Sequence, residues 1–215
     1  MALGLISLSQ ALTGVEVIAT LAFALSGMLV AARKELDAVG VCVVAGLTAF
    51  GGGTLRDVLL DRRPFFWVAH ANWLWVGLGL CVAAMLFMRT RHLAVTEKAI
   101  QWPDTLGLGL FSASGTQLAL TTQQLPALVA VLMGVITATF GGVLRDIVCN
   151  EIPTAFRDHR PYAVCAFVGG WVVVGASTLQ LPEWGVLLLA AGVTSSLRLA
   201  ALRFDVVLPG WQVRH

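Results

Sequence analysis

Long apolar segments recur along the whole chain, and they constrain its fold more than any other feature. Read for apolar length, the sequence contains seven of them, near residues 13–32, 38–60, 73–88, 104–120, 126–149, 163–179 and 184–202. A helix of about 20 mostly apolar residues spans the hydrocarbon core of a bilayer. Continuous apolar runs also lack the alternation of inward and outward residues that a membrane β-barrel needs. The sequence therefore predicts an all-α membrane protein with seven transmembrane helices.

The composition excludes several functional classes. Of the 215 residues, 58% are hydrophobic and only 12% are charged, whereas about 25% of a soluble domain is charged. An ordinary soluble enzyme is therefore excluded. The net charge is +2 and the 14 basic residues form no long run, so we expect no nucleic-acid partner. The cysteines and histidines are scattered, so we expect no metal site, no cofactor and no catalytic group.

The distribution of basic residues predicts how the chain crosses the membrane. If the amino terminus lies outside, only Arg62 and Arg63 fall on the outer side. The inner side then receives Arg33, Lys34, Arg89, Arg91, Lys98, Arg157, Arg160, Arg198, Arg203 and Arg214. Cytoplasmic loops carry an excess of lysine and arginine. We therefore expect a multi-pass protein with an outer amino terminus and a cytoplasmic carboxyl terminus.

A ten-residue sequence occurs twice in the chain. Residues 48–57 and 137–146 share seven identities, including Gly-Gly-x-Leu-Arg-Asp, at an offset of 89 residues. Upstream, at an offset of 88, Glu16 matches Asp104, Phe23 matches Phe111, Ser26 matches Ser114 and Gly27 matches Gly115. The duplication predicts three-helix repeats at residues 14–90 and 103–180, followed by a seventh helix at 184–203. An odd number of spans inverts the second copy, and such inverted repeats enclose a pathway near the bilayer midplane.

Glycines interrupt the second and fifth segments at matching positions. Each glycine weakens a helix by about 0.8–1 kcal/mol relative to alanine, so Gly51, Gly52 and Gly53 predict a break or kink in the second segment. Gly141 and Gly142 predict the same in the fifth segment. We expect the winding to be lost there and the freed carbonyl groups to meet water, because hydrocarbon offers them no partner.

Thr54 follows the first glycine cluster and begins the sequence Thr-Leu-Arg-Asp. This sequence has the form of a capping box, in which a threonine and an acidic residue cap the start of a helix. Thr54 is therefore predicted to cap the second half of a broken helix. Val143 stands at the matching position of the second copy and cannot form this cap.

Each copy also places an Arg-Asp pair within an apolar segment. Arg56 and Asp57 lie in the second segment, and Arg145 and Asp146 lie in the fifth. A charge at the centre of a membrane helix costs about 2.5–3.5 kcal/mol, so these side chains should face the protein interior. Neighbours on a helix point about 100° apart, which favours bonds across to the other repeat over bonds to the adjacent aspartate. Ion pairs that serve packing alone remain the alternative.

Glu16 and Asp104 lie near the predicted starts of the first and fourth segments. Two interpretations explain them equally well. They would attract cations at the mouth of a pathway, or they would occupy solvated helix N-termini, where the helix dipole favours negative charge.

The doubled Gly-Gly-x-Leu-Arg-Asp sequence, with Ser-Gly in the first and fourth segments, resembles the bacterial branch of the trimeric intracellular cation channel family. The duplicated module of this family is also called a glycine-transporter domain. The resemblance covers about residues 14–203. It implies a homotrimer in the bacterial inner membrane, with a hydrophilic pore in each protomer bounded by the first, second, fourth and fifth segments. The permeant ion that it implies is K⁺, with Na⁺ also permeant.

The resemblance also implies roles for particular residues. The kinks at the constriction fall at Gly51, Gly52, Gly53, Gly141 and Gly142. The polar lining comes from Ser26, Thr48, Thr54, Ser114, Thr137 and Thr139. The ordered charges are Arg56, Asp57, Arg145 and Asp146. Residues 104–120 contain no lysine or arginine, so the resemblance does not extend to the basic voltage-gating motif or the phosphoinositide binding of animal members.

Three functions are compatible with these features. The first is a potassium-selective channel, because the carbonyl ends of half-helices carry partial negative charge and suit a cation. The second is a secondary transporter of glycine or another small solute, because half-helix N-termini suit a carboxylate. The third is a non-conducting assembly scaffold, in which the polar groups serve packing alone.

Overall fold

The structure, a computed structural model, describes residues 8–91, 96–157, 160–179 and 181–209. Every regular element in these ranges is an α-helix. The helices are α1 (Leu8–Arg33), α2 (Ala38–Leu59), α3 (Phe66–Ala69), α4 (Asn72–Arg91), α5 (Glu97–Thr121), α6 (Ala127–Val148), α7 (Thr154–Arg157), α8 (Ala163–Ser177) and α9 (Glu183–Arg203). His92, His159, His215 and Arg214 lie outside the described residues.

The long helices correspond to the seven predicted segments, and polar residues cap two of them. The Asp37 side chain accepts a hydrogen bond of 2.7 Å from the Gly40 amide at the start of α2. Thr96 caps α5 in the same way through the Ala99 amide, so α5 begins earlier than the predicted residue 104. Such caps satisfy amides that have no partner within the helix. The short helices α3 and α7 follow α2 and α6 at matching places in the two repeats.

Four helices are long and apolar enough to cross a membrane, by length and composition. They are Ser9–Arg33, Ala38–Leu59, Ala127–Val148 and Glu183–Arg203, while Asn72–Leu86 and Ala163–Ser177 are shorter apolar helices. Large apolar side chains on the outer faces of these helices are exposed, as a lipid-facing surface requires. The chain is an all-helical membrane protein, and the count of seven spans stays a prediction.

Four helices form a closed ring, in which α1 packs on α2, α2 on α6, α6 on α5 and α5 on α1. The helices α2 and α6 run in opposite directions. Lys34, just before α2, pairs with Glu151, just after α6, at 2.5 Å. At the other end the Gln123 side chain, before α6, donates to the carbonyl oxygen of Leu60, after α2, at 3.1 Å. Matching helices of the two repeats therefore surround one common interior.

The remaining long helices pack around this ring. The helix α4 contacts α1 and α2, while α8 contacts α5 and α6. The helix α9 lies against α5 and α8. It approaches the α5 backbone at Gly109, where a Cβ would overlap the Ser195 hydroxyl. The seventh predicted segment is thus an integral part of the helix bundle.

Both α2 and α6 continue without a break through their glycine clusters. The predicted loss of helical winding is therefore wrong. Three glycines weaken a helix by about 3 kcal/mol, but each backbone group left without a partner in an apolar interior costs several kcal/mol. Keeping the helical hydrogen bonds is the smaller cost.

Candidate functional site

At the centre of the ring, α2 and α6 touch backbone to backbone. A Cβ at Gly52 would overlap the carbonyl oxygen of Thr137, and a Cβ at Gly141 would overlap the carbonyl oxygen of Thr48. Each contact joins a glycine of one repeat to the backbone of the other. Small residues allow helices in membranes to approach this closely. The glycines therefore bring these two neighbouring helices of the ring into direct backbone contact.

Two threonines flank this crossing, and both are fully buried. The Thr48 hydroxyl donates to the Val44 carbonyl, and the Thr137 hydroxyl donates to the Met133 carbonyl, each at 2.6 Å. A hydroxyl has one proton to donate and two lone pairs to accept with. Because the proton is used within the helix, each oxygen keeps acceptor capacity, which suits a cation.

The other predicted lining residues fall into two groups. Ser26 and Ser114 are fully buried between the repeats, and the Ser114 hydroxyl has no hydrogen-bond partner within the described part of the chain. Thr54 and Thr139 are half-buried, and each donates to the carbonyl four residues earlier. Thr54 also accepts a bond of 3.1 Å from the Trp67 indole. Because α2 is unbroken, Thr54 caps no helix, and that prediction is wrong.

The first ion network lies at the end of α2 and consists of Glu16, Arg56 and Asp57. The Arg56 guanidinium is wholly buried, and its Nη1 donates to Glu16 on α1. Its Nε and Nη2 donate to Asp57 Oδ1 at 2.9 and 2.7 Å. The second oxygen of Asp57 accepts from the Phe66 amide at 2.8 Å. The network therefore ties α1, α2 and the start of α3 together.

The second ion network lies at the end of α6 and consists of Asp104, Arg145 and Asp146. Arg145 donates to Asp146 through Nε at 2.8 Å and to Asp104 through Nη1 at 2.6 Å. Nη1 also donates to the Ser26 hydroxyl at 2.7 Å. The second oxygen of Asp146 accepts from the Thr154 amide and hydroxyl at 2.8 and 2.9 Å. The arrangement reproduces the first network, one repeat later.

The two arginines do not bond as the sequence analysis predicted. Each bonds to its adjacent aspartate and to an acid of its own repeat, so the predicted preference for the other repeat is wrong. Of the bonds that these two arginines make to described residues, only the one from Arg145 to Ser26 crosses between repeats. Both Arg-Asp pairs lie in the last turn of a helix, where the aspartate reaches forward to the next helical turn. The long arginine side chain then curls onto that aspartate in spite of their angular separation.

Glu16 and Asp104 are 2% and 8% exposed. Both lie well inside their helices, since α1 begins at Leu8 and α5 at Glu97. The interpretation as solvated helix N-termini is therefore wrong, and both residues hold a buried arginine instead. Their predicted role at the mouth of a pathway stays a prediction.

A small polar cavity of about 60 Å³ adjoins the second network. Val30 and Ile100 form part of its walls beside the polar side chains, and it has room for water. The charged side chains that line it are Arg33, Lys34, Glu97, Asp104, Arg145, Asp146, Glu151 and Arg198. Positive and negative groups are therefore balanced around it, four of each.

Comparison with known proteins agrees with this geometry. The family model described as "Glycine transporter" matches the chain twice, at residues 13–89 and 101–178. A solved structure of the TRIC trimeric intracellular cation channel orthologue from Rhodobacter sphaeroides is 32% identical, with a TM-score of 0.82, and the match covers 91% of this chain and 98% of that one. The chain belongs to the trimeric intracellular cation channel family.

Other members of this family are similar over nearly their whole length. A prokaryotic TRIC channel crystallised in 0.5 M KCl is 27% identical, with a TM-score of 0.83, over 90% of this chain and 96% of that one. The UPF0126 membrane protein of Vibrio cholerae is 37% identical, over 91% of this chain and 80% of that protein. The UPF0126 inner membrane protein YadS of Escherichia coli is 35% identical, over 90% of this chain and 93% of that protein. The solved structures are described as channels and not as enzymes.

In this family member, the sequence analysis missed two residues that lie beside the second network. The Tyr162 hydroxyl donates to Asp104 Oδ2 at 2.8 Å. Arg198 on α9 lies 4.9 Å from the centroid of the Tyr162 ring and donates to the Pro161 carbonyl at 3.3 Å. Arg198 lies within a predicted apolar segment, and this position could have identified it as a buried charge near the networks. Tyr162, the one tyrosine of the chain, precedes α8 and gave no signal.

We expect Tyr162→Phe to destabilise the folded protein by about 1.5–3 kcal/mol, the range for a hydrogen bond to a charged group. Burial raises the pKa of Tyr162 well above its ordinary value, and the Asp104 carboxylate raises it further, so the hydroxyl keeps its proton and donates. Ser177→Ala is the matched control, because that hydroxyl donates to the neutral carbonyl of Val173. Denaturant unfolding in detergent micelles measures the free energy of unfolding of both variants. Equal losses of this free energy in Tyr162→Phe and Ser177→Ala would contradict the prediction.

Proposed function

We propose that this chain is a potassium-selective cation channel, with Na⁺ also permeant, and that its pore lies within each protomer. The observation that carries the proposal is the row of buried polar residues inside the ring of α1, α2, α5 and α6. Polar side chains within a membrane are costly and usually mark an ion pathway. Besides the two networks, the row consists of Ser26, Thr48, Ser114 and Thr137.

The arrangement in the membrane is part of the proposal. Seven helices cross the bilayer as an inverted three-plus-three repeat, 14–90 and 103–180, with a seventh span at 184–203. The antiparallel course of α2 and α6 supports this inversion. The amino terminus lies outside, the carboxyl terminus is cytoplasmic, and the membrane is the bacterial inner membrane. Three copies assemble into a homotrimer surrounded by lipid.

In the proposed channel, the pore passes the crossing of α2 and α6. The contacts of Gly52 with Thr137 and of Gly141 with Thr48 leave no passage between α2 and α6. We propose that both helices bend at Gly51–Gly53 and Gly141–Gly142 when the channel opens. A cation at the crossing then meets the hydroxyl and carbonyl oxygens of Thr48 and Thr137, which supply neutral ligands of the kind that potassium filters use.

A secondary transporter of glycine or another small solute is the second candidate. The cavity beside the second network favours it, because equal numbers of positive and negative side chains line that cavity. Such a lining suits a zwitterion as well as it suits water. The channel remains the preferred function because the buried hydroxyls continue past the cavity into the centre of the ring.

Planar bilayers with the purified protein under a KCl gradient test the proposal. Discrete current steps that reverse near the potassium equilibrium potential are expected. Thr48→Val and Thr137→Val remove one hydroxyl each at nearly constant shape, and each should lower the potassium conductance about fivefold, the effect of one lost hydrogen-bond-type ligand. Thr194→Val is the matched control, since that buried hydroxyl donates to Ala190 within α9, outside the ring.

Two outcomes would contradict the channel. No current from the wild-type protein, together with saturable uptake of radiolabelled glycine into proteoliposomes, would support the transporter instead. Unchanged conductance in Thr48→Val and Thr137→Val would show that ions do not pass the α2–α6 crossing.

A further inference from the structure

The two repeats end α2 and α6 with the same turn but with opposite charges. Asp61 and Asn150 follow the two helices with φ of 48° and 56°. The next amide in each copy closes the turn, Arg62 onto the Asp57 carbonyl and Glu151 onto the Asp146 carbonyl, both at 2.8 Å. Arg62 and Glu151 therefore occupy equivalent positions, one beside each network.

Arg62 points at the acids of the first network. Its Nη1 lies 3.6 Å from Glu16 Oε1 and 3.6 Å from Asp57 Oδ1. That nitrogen is buried and makes no hydrogen bond to any described group, although the Arg62 side chain as a whole is 32% exposed. Electrostatic attraction to the Glu16 and Asp57 carboxylates therefore holds the Arg62 guanidinium, because 3.6 Å is too long for a hydrogen bond.

Glu151 behaves differently beside the second network. It pairs with Lys34 at 2.5 Å, and both side chains are partly exposed. Among the described residues, Arg145 is the one cation that pairs with Asp104 and Asp146, so these three groups together carry a formal charge of −1. Arg198 lies behind Tyr162 and donates to a carbonyl group, so it bonds to neither acid. In the first network Arg56 and Arg62 balance Glu16 and Asp57, and the formal charge is zero.

We propose that Arg62 is a tethered cation that occupies the place of a permeant cation at the first network, and so limits cation entry from that side. The inference rests on the proposed channel function. A cation that approaches Glu16 and Asp57 must displace the Arg62 guanidinium, because two positive charges repel each other across a few ångströms. A cation that approaches the second network passes Arg33, Lys34 and Arg198, but none of these described side chains pairs with Asp104 or Asp146. The wild-type current should therefore rectify, although the repeats are nearly symmetric in fold.

Single-channel currents of Arg62→Gln in symmetric KCl test this inference. Current carried by cations that enter at the first network should rise about two- to fivefold at low salt, and rectification should fall. The gain should shrink in 1 M KCl, where the Debye length is about 3 Å. Arg63→Gln is the matched control, because the neighbouring Arg63 guanidinium lies over the Phe65 ring at 4.3 Å, and it should leave rectification unchanged.

Arg62→Cys supplies a second test on a single protein sample. The thiol is modified by a cationic methanethiosulfonate reagent, which restores a positive charge, or by a neutral reagent of similar size. The cationic reagent should return the wild-type rectification when added to the first-network side, and the neutral reagent should not. The wild-type protein with the same reagents controls for its own cysteines, of which Cys81, Cys149 and Cys165 are buried.

The outcomes separate the two proposals. Absence of current from the wild-type protein would overturn the channel function and this inference with it. Wild-type current with the same rectification in Arg62→Gln and Arg63→Gln would overturn the role of Arg62 alone. Equal effects of the cationic and neutral reagents would also overturn it, because only bulk would then matter.

Discussion

Arg56→Ala is expected to destabilise the folded protein by about 3–5 kcal/mol, the range for removing one partner of a buried ion pair. The guanidinium is the common donor to Glu16 and Asp57. Without it, two carboxylates face each other in the protein interior, and Arg62 is too distant to form hydrogen bonds with them. Denaturant unfolding in detergent micelles, followed by circular dichroism, measures the loss.

Arg160→Ala is the matched control for Arg56→Ala. Arg160 also donates to an aspartate, Asp205, at 2.7 Å, but the side chains are 31% and 71% exposed. An exposed pair contributes about 0–1 kcal/mol, so this variant should unfold close to the wild-type midpoint. Similar losses of stability in the two variants would contradict the prediction that a buried ion pair stabilises the protein more than an exposed one. Glu16→Gln combined with Arg56→Ala should recover part of the stability, because it removes one of the two stranded charges.

The architecture could be predicted from the sequence because hydrophobicity and repetition are local signals. Apolar length located the long helices, and the doubled Gly-Gly-x-Leu-Arg-Asp sequence identified the residues that meet at the ring centre and in the networks. Gly52 and Gly141 were found this way, although their contacts with the backbone of the other repeat were not predicted. A sequence shows that a glycine weakens a helix, but it does not show what lies against the missing side chain.

The partners of charged residues could not be predicted, because they depend on where neighbouring turns lie. On an isolated helix, Arg56 and Asp57 point about 100° apart. In the structure Asp57 is fixed by the Phe66 amide, and a flexible guanidinium reaches it easily. Tyr162 was missed for a similar reason, since its contact with Asp104 spans 58 residues of sequence.

Gly52→Ala is expected to destabilise the protein by about 1–3 kcal/mol, the usual effect of adding a methyl group to a well-packed interior. The new Cβ would overlap the Thr137 carbonyl oxygen. A backbone atom cannot rotate away as a side chain can, so α2 and α6 must separate. Gly141→Ala should act in the same way through the carbonyl oxygen of Thr48. Thermal unfolding in detergent, followed by size-exclusion chromatography, measures both variants.

Gly53→Ala is the matched control, since it makes the same substitution one residue later in α2. A Cβ at Gly53 has no neighbour within 4 Å, so this variant should gain up to about 1 kcal/mol from improved helix propensity. The two variants should therefore differ in stability by about 1–4 kcal/mol, although their sequences differ only in which glycine is replaced. If the glycines acted only by weakening α2, both substitutions would stabilise the protein equally. That result would exclude the backbone contact between α2 and α6 as their function.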